Sequence, residues 1–149
     1  MKKLLVLISL LTLSTAAYAT DQAFNATLKL FKPITITKVQ DLSFPDTTIT
    51  GSAITLTVLP ADSTAASFTA TGGNNRTFTK SVVEASINMS APLVVGNIAV
   101  DTFVLSATPT AFDATGNATG LKVGATAHIL AGSLDGNYTG AATFRVVYN

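Results

Sequence analysis

From residue 24 onward, apolar and polar side chains alternate in short runs. Phe24, Ala26, Leu28 and Leu30 alternate with Asn25, Thr27 and Lys29. Ile34 and Ile36 alternate with Thr35 and Thr37, and Ile54, Leu56 and Val58 with Thr55 and Thr57. Near the C-terminus, Ala142, Phe144, Val146 and Tyr148 alternate with Thr143, Arg145 and Val147. A period of two places each apolar set on one face of a strand. The intervening threonines are β-branched and suit a pleated surface. No stretch after residue 19 sustains a helical period.

Turn chemistry separates these runs. Asp46-Thr47, Gly72-Gly73-Asn74-Asn75, residues 113–116 and Leu134-Asp135-Gly136-Asn137 carry the Gly, Asn and Asp that tolerate left-handed backbone or bond their own main chain. The pattern predicts strands at residues 24–31, 33–39, 53–59, 65–71, 76–83, 85–89, 98–106, 121–131 and 140–148. Short strands with no helix between them predict an antiparallel sandwich or barrel, here an immunoglobulin-like Greek-key sandwich. Pro33 cannot donate to a ladder, so it predicts a kink or a change of sheet between the first two strands.

The beginning of the chain reads differently. Lys2 and Lys3 precede an apolar run over residues 4–13, and Ala17-Tyr18-Ala19 supplies a small-x-small site. This is the pattern of a cleaved secretory signal peptide over residues 1–19, leaving one domain over 20–149. The run is too short for a transmembrane helix, which needs about 20 apolar residues. Without Lys2 and Lys3, the 9 basic residues become seven against 8 acidic ones. That near-neutral balance, with no basic cluster, argues against nucleic acid or an anionic membrane as a partner. Cysteine is absent, so stability must come from the core or from neighbouring subunits rather than from disulfides.

Leu134-Asp135-Gly136-Asn137-Tyr138 stands before the last predicted strand, which carries Phe144 on its apolar face. A Leu-x-Gly-x-Tyr spacing there fits a tyrosine corner, in which the phenol bonds backbone near Leu134. The alternative is a plain Asp-Gly hairpin turn with Tyr138 starting the strand.

Gly136-Asn137-Tyr138-Thr139-Gly140 and the strand after it resemble the end of the bacterial exported domain-of-unknown-function 4402 family. Pro33-Ile34-Thr35-Ile36 with Asp41-Leu42-Ser43-Phe44, then residues 66–72, then Leu121-Lys122-Val123-Gly124-Ala125 are similar too, in the family's order. Pro45 stands where that family usually has Gly, so this turn departs from the pattern. The ending is also similar to that of cysteine-free major subunits of alpha-class fimbriae. The resemblance implies an exported β-sandwich without enzymatic activity, and it brings no catalytic residues.

The residues themselves offer little for catalysis. His128 is the sole histidine, and no serine or threonine sits in a nucleophile-elbow pattern beside it. One histidine and no cysteine cannot make a four-ligand zinc site. Asp113-x-Thr115-x-Asn117 opens like a calcium loop, but Ala118 and Gly124 occupy the positions that need Gly and a bidentate Glu. The acids are scattered singly, and the glycines at 72–73 lack the helix of a phosphate loop. No catalytic residue, metal or cofactor is expected.

Two functions remain. In the first, the chain is a structural subunit assembling on a cell surface, with Phe24, Ala26, Leu28 and Leu30 on a strand that completes its own sheet or a neighbour's. In the second, it is a monomeric binding module whose Thr-, Asn- and Asp-rich loops at 45–52, 72–76 and 107–120 hold a carbohydrate or protein.

Overall fold

The computed structural model describes residues 20–149; the expected signal peptide lies outside them. The chain divides into two units, Met1–Leu30 and Phe31–Asn149. In the first, residues 20–30 form no strand and all are exposed.

The second unit contains eight strands and, among the described residues, no helix: β1 (Thr35–Gln40), β2 (Ile54–Val58), β3 (Ala66–Thr71), β4 (Phe78–Val82), β5 (Ile87–Ser90), β6 (Asn97–Leu105), β7 (Asn117–Ile129) and β8 (Phe144–Tyr148). Every pairing is antiparallel. A six-stranded sheet runs β1-β3-β7-β6-β5, and β2 also pairs with β7. A two-stranded sheet, β4-β8, forms the rest.

The long β7 organises the large sheet. Its first half pairs with β3 (Ala66↔Val123, Thr71↔Asn117) and its second half with β2 (Val58↔Ala125, Ile54↔Ile129). Its other edge pairs with β6. Between the β2 and β3 pairings the chain passes so close to Gly124 that a Cβ there would collide with the Val58 carbonyl. Its burial is nearly continuous from Leu121 to Ala127 rather than alternating, as in strands covered on both faces.

Two apolar clusters fill the interior. Where β4-β8 covers the large sheet, Phe78, Phe112, Leu121, Ala70, Ala118 and Val146 are buried together. Phe78 and Phe112 meet at 4.7 Å, and Phe68 stacks on Phe144 at 4.5 Å. Burying side chains of this size stabilises by about 1.5–3 kcal/mol each. The second cluster is built on Ile98, Val100, Ala125 and Ala127. Leu42, Phe44 and Tyr138, from loops, pack there, and Val82 of β4 and Phe144 of β8 border it.

No strand forms at 24–31, contrary to the alternation there. A strand needs a ladder with a neighbouring backbone, and residues 24–31 belong to no sheet among the described residues. The last strand begins at Phe144 rather than at residue 140, so 139–143 lie between Tyr138 and β8. Conversely, β7 begins at Asn117, four residues ahead of the predicted start.

Candidate functional site

A cleft of about 560 Å³ lies between the layers, over the second apolar cluster. Its floor belongs to the large sheet: Phe68 from β3, Val100 and Phe103 from β6, and Val123 from β7. One lip is formed by residues 138–142 and Phe144, the other by Lys38, Asp41, Leu42 and Phe44. A smaller cavity of about 320 Å³ adjoins it, and Leu42, Phe44, Met89 and Tyr138 line both.

The first lip is an unused backbone edge. Thr139 exchanges hydrogen bonds with Ser90, and Thr143 N–H donates to Glu84 Oε2 at 2.7 Å. Between them, residues 140–142 make no hydrogen bond with any other described residue. The edge of β8 away from β4 has no strand partner among the described residues either. Glu84 fixes the end of this lip next to β8, and the Thr143 N–H holds its carboxyl below the usual carboxylate range.

Tyr138 donates its hydroxyl to the Leu134 carbonyl at 3.0 Å across the Asp135-Gly136 turn. The ring is thereby fixed over the point where the two cavities meet. Leu134 is 54% exposed and lines the smaller cavity. Gly136 lies against Ala91 and Val94, and Phe144 stacks on Phe68 at the cleft.

The candidate assembly residues stand uncovered. Phe24 is 89% exposed, Leu28 84% and Leu30 78%, with Ala26 exposed between them. Where the second unit begins, the chain is clasped. The Tyr148 hydroxyl donates to the Lys32 carbonyl and accepts the Gly73 N–H, each at 2.6 Å. The Phe31 ring lies 5.4 Å from that of Tyr148, and the Arg76 guanidinium carbon is 4.8 Å from the Phe31 centroid. Gly72 fits beneath: a Cβ there would stand 2.6 Å from the Phe112 ring. Alternation identified Tyr148 as inward-facing but carried no sign of this clasp, which joins residues 116 positions apart. Leu42 and Phe44, which line both cavities, also escape a reading by periodicity, because a pair of apolar residues is too short a run.

His128 sits on the outer face of β7, opposite Ala127 and Ile129, which face the core. Its Nε2 is 3.0 Å from Asp101 Oδ1, and the Thr102 hydroxyl donates to the same oxygen at 2.8 Å. The His128 and Thr102 contacts hold the Asp101 carboxyl below its ordinary value. Neither cavity is lined by this pair. No hydroxyl bonds His128 among the described residues, so an acid–base relay to a nucleophile is not assembled there.

Asp113 turns one carboxylate oxygen into its own loop. Its Oδ1 accepts the Thr115 N–H, the Thr115 hydroxyl and the Asn117 N–H at 2.7–2.9 Å. Among the described residues no group of three or more His, Cys, Asp or Glu could hold a metal ion. No described helix is long and apolar enough to cross a membrane. The three candidate binding loops do not share a cavity: residues 45–47 and 49 line the smaller one, while 72–76 and 110–117 bond one another elsewhere.

The family described as Domain of unknown function (DUF4402) matches residues 34–148. No curated protein and no solved structure matches the chain.

Proposed function

We propose, from the premise that the chain belongs to the DUF4402 family of domains of unknown function, that it is a non-enzymatic exported subunit joined to others through β-strand pairing. In this reading residues 1–19 are a signal peptide, and the domain is an immunoglobulin-like Greek-key sandwich. The product is a cell-surface or fimbria-like assembly, in keeping with the similarity of its ending to alpha-class fimbrial subunits. One observation carries the reading. An uncovered segment with a period-two apolar face, residues 20–30, belongs to the same chain as a domain with an open interlayer cleft and an unpaired edge. Unpaired edges recruit strands, and added strands gain affinity from main-chain bonds and specificity from alternate side chains. A chain without cysteine gains stability when a neighbour covers its edge.

The test is multi-angle light scattering on the chain with and without residues 20–30. The full chain assembles and the shortened one stays monomeric. A monomer in both cases, at all concentrations, removes the proposal.

A second reading is a monomeric binding module. The smaller cavity supports it, since Asp46, Thr47, Asp135 and Asn137 rim a floor that includes Ile98 and Ile129. Apolar walls with a few polar groups are what a small ligand needs. Glycan-array binding that disappears with Asp135→Ala and Asn137→Ala favours this reading over assembly.

A further inference from the structure

We infer that the cleft between residues 38–44 and 138–144 is the seat of residues 20–30 from a second copy, entering as an added strand antiparallel to β8. This rests on the assembly reading above and specifies its acceptor site, its occupant and its direction.

The cleft has what a strand requires on each side. Along one lip, residues 140–142 and the outer edge of β8 leave backbone groups unpaired among the described residues. Below lie Phe68 and Phe103, each half-buried, with Val100 buried among the floor residues; Phe144 of β8 covers Phe68 by stacking. Unpaired backbone beside half-covered apolar side chains is the combination that one further strand satisfies at once.

The occupant follows from the pattern of its side chains. In an extended segment Phe24, Ala26, Leu28 and Leu30 point to one side, about 6.7 Å apart, while Asn25, Thr27 and Lys29 point to the other. The apolar side meets a floor made of two adjoining cavities that share Leu42, Phe44, Met89 and Tyr138. The polar side faces water. Residues 20–30, extended, reach about 36 Å, enough to follow residues 140–148.

Direction settles whose segment it is. Tyr148, at the end of β8, holds the Lys32 carbonyl. A chain's own residues 20–30, laid along β8, would have to run toward that clasp, as β8 itself does, and the pair would be parallel. Every strand pair in the domain is antiparallel, the arrangement that is slightly more stable per residue. A segment running against β8 must come from another molecule.

The absence of cysteine makes the test clean. One preparation carries Asn25→Cys or Lys29→Cys, and a second carries Ala141→Cys or Arg145→Cys, all at exposed positions. The two are mixed under mild oxidation, and heterodimer is read on non-reducing gels. Asn25→Cys is expected to link with Arg145→Cys and Lys29→Cys with Ala141→Cys, each at least fivefold more than the swapped combinations. The swapped pattern overturns the inference. So does an intramolecular link in a chain carrying both changes at high dilution, or a lipid found in the cleft of a monomer by native mass spectrometry. Polymers by light scattering without any of these links refute this seat and leave assembly standing; monomers in every mixture refute both.

Discussion

Tyr138 and Tyr148 each use a phenol to fasten a loop to the core, and they differ in how much they hold. Tyr138 makes one bond, to Leu134. Tyr138→Phe is therefore expected to lower stability by about 1 kcal/mol, seen as a lower urea midpoint with an unchanged slope. Tyr148 both donates and accepts, so Tyr148→Phe costs about 2 kcal/mol on the same scale. At Gly72 the limit is space rather than bonding: Gly72→Ala forces a carbon into the Phe112 ring, and a clear fall in thermal midpoint is expected. Asp113 adds a pH dependence. The Asn117 N–H, then the Thr115 hydroxyl, keep its carboxyl below the ordinary range. A carboxyl with a depressed folded pKa stabilises above its unfolded pKa, and that contribution disappears as pH falls through the folded value. Asp113→Ala should melt below the parent at neutral pH, with the gap closing in strong acid; a gap independent of pH, followed by circular dichroism, contradicts this account.

At the scale of elements, removing residues 20–30 is expected to leave the melting of an isolated domain unchanged, because those residues are exposed and outside both sheets. A fall in the midpoint of the dilute monomer would show that they pair within their own domain. Most strands were legible from alternation. In β2, Leu56 and Val58 turn inward as the pattern implies, and in β8 Val146 is buried between Phe144 and Tyr148. The long β7 was only partly legible, because Gly120 and Gly124 interrupt the pattern and burial on both faces erases it. The segment at 24–31 failed for a different reason. Alternation records which face a strand would bury, whereas forming the strand also requires a partner backbone, and that is not a property of the segment. Neither the unpaired lip at 140–142 nor the cleft has a local signature, since both arise where distant loops come to rest on the large sheet.

At the scale of the molecule, stability divides between a cluster covered on both sides and one covered mainly by loops. Leu121→Ala in the first, where the side chain is fully buried, costs about 2–5 kcal/mol. For the second, completion by another copy makes stability depend on concentration by mass action. The thermal midpoint of the full chain should rise with protein concentration, while that of the chain lacking residues 20–30 should not. The clasp at Tyr148 has a mechanical meaning as well. A tug on the chain ahead of Phe31 arrives first at the Lys32 carbonyl and the Phe31 ring, not at β1, whose bonds to β3 from Thr35↔Thr71 onward would otherwise open in succession like a zip. The load passes into β8 along its length and on to β4, where the pairs from Phe78↔Tyr148 to Val82↔Phe144 resist sliding together. Tensile force borne this way is shared by a row of bonds instead of falling on the outermost one.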